Sequence, residues 1–314
     1  MHVSSRPPIR PRDVQRAAQL RELLVQFEAT SGPAPGVTND VVRETFLAQL
    51  IDSERRVEYV RRLIGRDISD SVLRSGGRIF DPLRGAVLMA RRGNHDEACW
   101  LVFLSAHFAR NRRTEWQLAG DFYNQLGSGT QWTWLEVSTH PYDVLPWLDA
   151  HREDLRAAGG RFGNHRKYES LAATGTGLAI VTYVDWVGPS HETLFAHSAP
   201  AVATPRERFG QLYKSMAQVA RFGRVGRFDY LTMLYKLGLA DIEPDACHID
   251  GSATGPRTGA KLLLWGDARA VVGTKILEAR LRALADSLGV SADVLEDALC
   301  NWQKSPAAYV FFGG

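Results

Sequence analysis

Long apolar runs are missing from this chain. No stretch approaches the roughly 18 to 20 consecutive apolar residues that a membrane span needs, and the opening MHVSSRPPIRPRD lacks the apolar centre of a secretory signal. A cytoplasmic protein with no membrane partner is the expectation. Cysteine is equally scarce: Cys99, Cys247 and Cys300 lie far apart with no CxxC pair, which excludes a zinc-ribbon spacing and an obvious disulfide framework. There is no HExxH, no GxSxG, no GxGxxG at a strand-to-helix turn, and Lys261 is followed by leucine where a Walker A loop needs Ser or Thr. Neither sign of charge dominates, since 38 Lys and Arg against 35 Asp and Glu leave +3, well short of a protein that coats DNA nonspecifically. No cofactor or metal is expected, with the scattered Asp185, Asp229 and Asp245 as the one set that could meet around Mg²⁺.

What is present is a folding composition. Of 314 residues, 45% are hydrophobic and 23% charged, close to the average of folded soluble domains, so wholesale disorder is excluded. Apolar positions recur at helical spacing almost throughout, and strand-like alternation is confined to the terminal AYVFFGG. The fold class is therefore all-α, a compact multi-helix array with short Gly- or Pro-containing connections. After a flexible lead-in, residues 12–30 form a helix, and Thr38 or Asn39 caps a second that runs to about Leu63 with a solvated outer face. Asp81 and Pro82 start another, and ACWLVFLSAHFAR, apolar nearly all round, marks a central buried helix. Further helices are expected over 113–126, 142–157, 165–187, 205–220, 227–238, 257–265, 270–288 and 291–303. A boundary at RSGGRIF divides a helical N-terminal extension, 1–75, from a helical catalytic domain, 76–314.

The cations matter by position. In RFGNHRKYESL (161–171) a glycine turn and a capping Asn164 precede what reads as a helix start, where free amides and the positive dipole end attract anions. Arg166 and Lys167 strengthen such a phosphate site. His165 and Glu169, at i and i+4, share one face, so the carboxylate can orient the imidazole or act as base itself; the plain alternative is a surface His–Glu contact. In SAHFARNRR (105–113), His107 sits in an apolar stretch and must find partners. It is either a satisfied core histidine or, with Arg110 and Asn111 one turn on, part of a site. RFGRVGRFDY (221–230) again sets glycine, cations and aromatics before a helix: arginines can hold phosphate oxygens bidentately, rings can stack on a base, and Arg227 and Asp229 could equally be a structural ion pair. Finally, GSATGPRTGA (251–260) loosely follows a helix-hairpin-helix DNA grip, in which the amides at Thr254 and Gly255 would meet a phosphate.

With HFARN, RFGNHRKYESL, VTYVDWV, VGRFDYLTMLYKLGL and TGPRTGAKLL in place, the chain resembles the α-glutamyl/putrescinyl thymine pyrophosphorylase family, also described as amino acid:DNA transferases, over roughly residues 80–270. The resemblance implies a fold like that of helical DNA glycosylases. It also implies an activity in which an amine or amino acid displaces pyrophosphate from an activated 5-hydroxymethyluracil in DNA. Carried onto this sequence, Arg166, Lys167 and Arg227 would grip the diphosphate with Arg110 nearby, and His165 or Glu169, with His107, would handle protons. Asn111, Asn164, Phe222, Asp229, Tyr230, Thr254 and Gly255 would meet the base or its DNA, Phe222 or Tyr230 by stacking. The partners are then DNA carrying a modified thymine and a small amine. Two rivals stay open: a helix-hairpin-helix DNA glycosylase, for which Asp267 is the nearby acid, and a noncatalytic nucleic-acid-binding protein.

Overall fold

The computed structural model describes residues 9–74, 79–198, 200 and 202–312. Most of the lead-in and most of RSGGRIF, where a boundary is expected, lie outside the described residues. Among the described residues the fold is all-α, with one isolated bridge between Asn111 and Glu115 and no strand; AYVFF is irregular. Fourteen α-helices follow in chain order: α1 (Val14–Ser31), α2 (Asp40–Leu63), α3 (Pro82–Arg91), α4 (His95–Phe108), α5 (Gln117–Tyr123), α6 (Trp134–Thr139), α7 (Val144–Ala157), α8 (Leu178–Val187), α9 (His191–His197), α10 (Pro205–Ser215), α11 (Arg224–Leu237), α12 (Thr254–Trp265), α13 (Thr274–Leu288) and α14 (Ala292–Trp302). None is long and apolar enough to cross a membrane.

The helices begin where side chains can accept the free first-turn amides. Asn39 Oδ1 accepts from Val41 and Val42 at α2, Asp81 from Leu83 and Arg84 at α3, and Asn94 from Glu97 at α4. Thr204 and Glu207 close a reciprocal capping box on α10, and left-handed Gly238, Gly266 and Gly289 end α11, α12 and α13.

The described residues fall into two compact units, one before Arg61 and after Glu243, the other Arg61–Glu243. In the first, α1 turns Ala17, Leu20, Leu24 and Phe27 inward onto Leu277, Leu281, Leu284 and Leu288 of α13. This is the i, i+3, i+4 stripe of an amphipathic helix, and burying each such leucine contributes about 1.5–3 kcal/mol. Part of the expected solvated face of α2 is engaged instead: Glu54 pairs with Arg16, Arg55 with Asp13, and Arg56 with Asp297. Helix α12 crosses α14 at short range, because a Cβ on Gly259 would stand 2.4 Å from the Leu299 carbonyl oxygen and one on Gly255 would stand 3.0 Å from Cys300 Sγ.

The second unit is built round α4, which is buried from Glu97 to Phe108 as its all-round apolar sequence requires. Helices α3, α5, α6, α9 and α11 pack on it. Its rings form a column: Phe103 stacks on Tyr183 at 3.8 Å and on Phe222 at 4.8 Å, and His107 lies parallel to both Phe103 and Phe222 at 5.9 Å.

The helix expected over 165–187 is shorter than its pattern suggests. Only Asn164–Arg166 forms a single 3-10 turn; the chain then bends, and a π turn at Ala173–Gly177 leads into α8. Gly175 and Gly177 are poor helix formers, and the Ser170 carbonyl takes both the amide and the hydroxyl of Thr176, so the backbone folds back on itself there. His165 and Glu169 consequently do not share a helix face, and three residues of 3-10 helix offer no anion-binding helix tip. Asn164 sits inside that turn rather than capping it.

Candidate functional site

The three cation-rich stretches of the second unit meet around one side chain. Arg166, only 5% exposed, donates from Nε to the His107 carbonyl at 3.1 Å and from Nη2 to His107 Nδ1 at 3.3 Å. Its guanidinium lies 4.8 Å from the Phe222 ring centroid, and Nη2 stands 3.5 Å from Glu169. Glu169 in turn receives Arg221 Nε at 3.0 Å. One buried arginine thus ties the end of α4, the 164–169 turn and the start of α11 together. Burial lowers its pKa, while Glu169 and Asp229 act to hold the charge; an arginine keeps its proton in such a setting.

His107 is completely buried with both ring nitrogens engaged. Nδ1 accepts from Arg166, so Nε2 carries the proton and donates to Thr176 Oγ1 at 2.9 Å, whose own hydroxyl donates to the Ser170 carbonyl at 2.8 Å. Burial pushes the imidazole pKa well down, and the charges of Arg166 and Arg221 push it further. The arrangement holds a neutral ring of one tautomer in the interior.

Asp229 stands half-buried on α11 with its pKa raised by burial, an effect opposed by the positive fields of His165, Arg224, Lys236 and Arg166. Carboxylates and cations therefore alternate here: Glu169 between Arg166 and Arg221, and Asp229 in the fields of Arg224, Lys236 and Arg166. His165 and Lys167 are exposed, and Lys167 places its ammonium 5.0 Å from the Tyr168 ring centroid. The backbone is strained at two of its joints, since Ala109 (φ 50°) and Arg221 (φ 64°) hold left-handed conformations that cost a side-chain-bearing residue about 1–3 kcal/mol. Gly163 lies so close to Ala109 that a Cβ there would approach the Ala109 Cβ to 2.6 Å.

Other expected residues are placed differently. Arg227 turns away to α10, donating to the Tyr213 carbonyl at 3.1 Å with its guanidinium 4.3 Å from the Tyr213 ring. Arg110 pairs with Glu115. Asn111 is a turn-former: Oδ1 accepts from the amides of Arg113 and Thr114, and Nδ2 donates to the Phe162 carbonyl at 2.9 Å. Phe222 and Tyr230, expected to stack on a base, are 3% and 0% exposed; Phe222 fills the aromatic column, and the Tyr230 hydroxyl meets that of Tyr183 at 2.9 Å. Thr254 and Gly255 belong to the other unit, at the start of α12, where Gly255 faces Cys300. Asp267, also there, accepts from the Arg269 amide in an exposed turn. Among the described residues no three of His, Cys, Asp and Glu gather to hold a metal, so Asp185, Asp229 and Asp245 do not form the Mg²⁺ set considered above.

Sequence reasoning missed Arg221 as the partner of Glu169, Thr176 as the anchor of His107, and a second polar chain in the core. There, Asp96 Oδ1 accepts from both the backbone amide and Nδ1 of buried His191 at 2.7 Å; Tyr183 donates to His191 Nε2 at 2.7 Å, and Tyr230 to Tyr183. The only signal was the number of polar atoms inside apolar helices, each of which must find a partner.

A family model described as alpha-glutamyl/putrescinyl thymine pyrophosphorylase clade 3 matches residues 41–314. No curated protein and no solved structure matches the chain.

Proposed function

Since the chain belongs to the alpha-glutamyl/putrescinyl thymine pyrophosphorylase family, clade 3, we propose that it is a transferase that joins an amine or amino acid to a pyrophosphate-activated 5-hydroxymethyluracil in DNA. The nitrogen lone pair forms a bond to the exocyclic methylene carbon. The bond from that carbon to the pyrophosphate oxygen breaks, its electron pair leaves with pyrophosphate, and the attacking nitrogen gives up a proton.

The observation that carries this reading is that Glu169 pairs with both Arg166 and Arg221 while Asp229 lies in the field of Arg166 and of His165. Charge that grows on the departing oxygen needs fixed cations. Arg221 and Lys167 reach solvent, whereas Arg166, tied to His107, holds the frame they stand on. A proton acceptor is also needed. Asp229 suits it, because burial raises its affinity for a proton; Glu169 is already shared by two arginines, and His165 is the exposed alternative. This assignment leaves His107 a positioning role and gives none to Arg227, Phe222 or Tyr230.

The test is to incubate the protein with DNA carrying pyrophosphorylated hydroxymethyluracil and a pool of amines, then digest to nucleosides for mass analysis. A new aminated base and free pyrophosphate are expected, and Asp229→Asn should slow the transfer by roughly 10²–10⁴-fold. Unchanged nucleosides across the pool would overturn the reading. Release of free base would mark a glycosylase, and salt-dependent binding indifferent to Asp229→Asn would mark a noncatalytic binding module.

A further inference from the structure

Tyr168 is the most exposed aromatic side chain among the described residues, 83% open to solvent, yet it stands between two of the most firmly held residues of the site. On one side Arg166 is buried against His107; on the other the Glu169 amide donates to the Arg166 carbonyl at 2.9 Å while its carboxylate pairs with Arg166 and Arg221. A ring at the tip of so constrained a turn is presented outward rather than left to wander. Single exposed aromatics are ordinary on protein surfaces; the surroundings of this one are not.

Two loops form the lip beside it. The 109–115 loop is tied to the 161–166 turn by Asn111 Nδ2 donating to the Phe162 carbonyl at 2.9 Å, the Gly163 amide to the Phe108 carbonyl at 2.8 Å, and the Arg161 amide to Thr114 Oγ1 at 3.2 Å. Along this lip Arg113, Arg161 and Lys167 are exposed and make no ion pair among the described residues. Exposed Arg92 and Arg156, by contrast, have carboxylate partners. Exposed cations on two loops that hydrogen bonds tie together suit a phosphate backbone, and an exposed ring with the Lys167 ammonium 5.0 Å from its centroid suits a base stack.

We infer that Tyr168 is a wedge that enters the base stack of duplex DNA while Arg113, Arg161 and Lys167 hold the flanking phosphates, so that the substrate of the site is a base turned out of a duplex and not a free nucleotide. A base inside a duplex is out of reach of fixed residues such as Asp229, and an aromatic side chain that fills the vacated gap lowers the cost of turning it out. This rests on the transferase reading for its target, but its test needs no transfer.

A duplex carrying 2-aminopurine opposite the target position, unmodified and without amine, is titrated with the full chain. Wild type should raise the 2-aminopurine fluorescence as it unstacks. Tyr168→Ala should abolish that rise and weaken binding roughly 10-fold, the size of one lost aromatic–base stack, while Tyr168→Trp restores both. Arg161→Ala and Lys167→Ala should each reduce the slope of log K against log salt by about 0.9, which Tyr168→Ala leaves unchanged. A fluorescence rise that persists in Tyr168→Ala, or a preference for single strands or free nucleotide over duplex, overturns the inference. Amine transfer to the activated base in DNA with no unstacking of the duplex would sink the wedge and leave the transferase standing; unstacking without transfer would do the reverse.

Discussion

The guanidinium of Arg166 donates at once to the carbonyl and to the ring nitrogen of His107, so a single side chain both ends α4 and fixes the tautomer of its last histidine. Replacing it by methionine removes the buried charge but leaves that carbonyl without its donor. Arg166→Met is expected to lower stability by about 3 kcal/mol. Arg166→Lys should cost about 1–2 kcal/mol, since one ammonium cannot serve carbonyl, ring and carboxylate from a planar fork. Denaturant midpoints report both. A midpoint unmoved in Arg166→Met would show that the residue is not the joint described.

Glu97 is a buried carboxylate whose contacts are both neutral: Tyr123 donates its hydroxyl to Oε1 at 2.7 Å, and the Trp134 amide donates to Oε2 at 2.6 Å. Burial raises its pKa, with those two donors opposing. A raised carboxyl pKa means that the folded state binds more protons, so this group weakens stability as pH rises above about 4.5, its unfolded value, through the folded value. Glutamine can keep the Trp134 bond and give an N–H to Tyr123. Glu97→Gln should therefore be neutral or stabilising at pH 7, whereas Glu97→Ala leaves both donors unpaired and should cost about 2–4 kcal/mol. Thermal melts at pH 7 separate the two outcomes.

His107 and His191 are neutral rings of opposite tautomer, the first protonated at Nε2 and the second at Nδ1. ¹⁵N shifts of the ring nitrogens at pH 6 should show one of each, and two charged rings would contradict the hydrogen-bond chains. Burial depresses both pKa values, so the unfolded chain takes up protons first. Stability from these groups is complete above about pH 6.5 and is lost as pH falls toward the folded values, each ring contributing up to about 1.4 kcal/mol per pH unit. Despite burial, which raises it, the bonds from His191 hold the Asp96 carboxyl low, adding a second loss below about pH 4. Because Glu97 and Asp229 pull the other way, the histidine slope is read in a Glu97→Gln, Asp229→Asn background. A flat melting temperature from pH 7 to 5 in that background would refute the assignment.

Gly259 allows α12 to touch α14. Alanine there must move the Leu299 backbone, so Gly259→Ala is expected to cost about 1–3 kcal/mol despite its better helix propensity. Gly251→Ala, in an open turn with nothing within 4 Å, should change stability little. Equal denaturant midpoints for the two variants would remove the close crossing.

The helices were legible where caps and apolar periodicity agreed. Asn39, Asp81 and the all-round apolar run of α4 each point to the element found. The site was legible as composition but not as geometry. That 161–171 and 221–230 carry cations is plain in the sequence; that Glu169 faces Arg221 across 52 positions is not, because nothing local encodes it. The expected 165–187 helix failed for a local reason, the Thr176 bonds to the Ser170 carbonyl, which outweigh a helix-like pattern. The amides of Thr254 and Gly255 do stand at the start of α12, but that Gly255 and Gly259 also let α12 lie against α14 was not legible, because the partner residues Leu299 and Cys300 are distant in sequence. The family match reaches 41–314, beyond the 80–270 in which quoted motifs lie, and so takes in α2, α13 and α14.

The π turn at Ala173–Gly177 feeds directly into α8. Wider than an α turn by one residue, it sets the angular phase at which the preceding chain leaves that helix axis. Deleting one residue there and restoring regular winding would swing everything upstream by about 100°, carrying Arg166 off His107 without altering any side chain. The register of this site is kept by counting residues, and length variants within 173–177, more than point changes, are the route by which it is re-aimed.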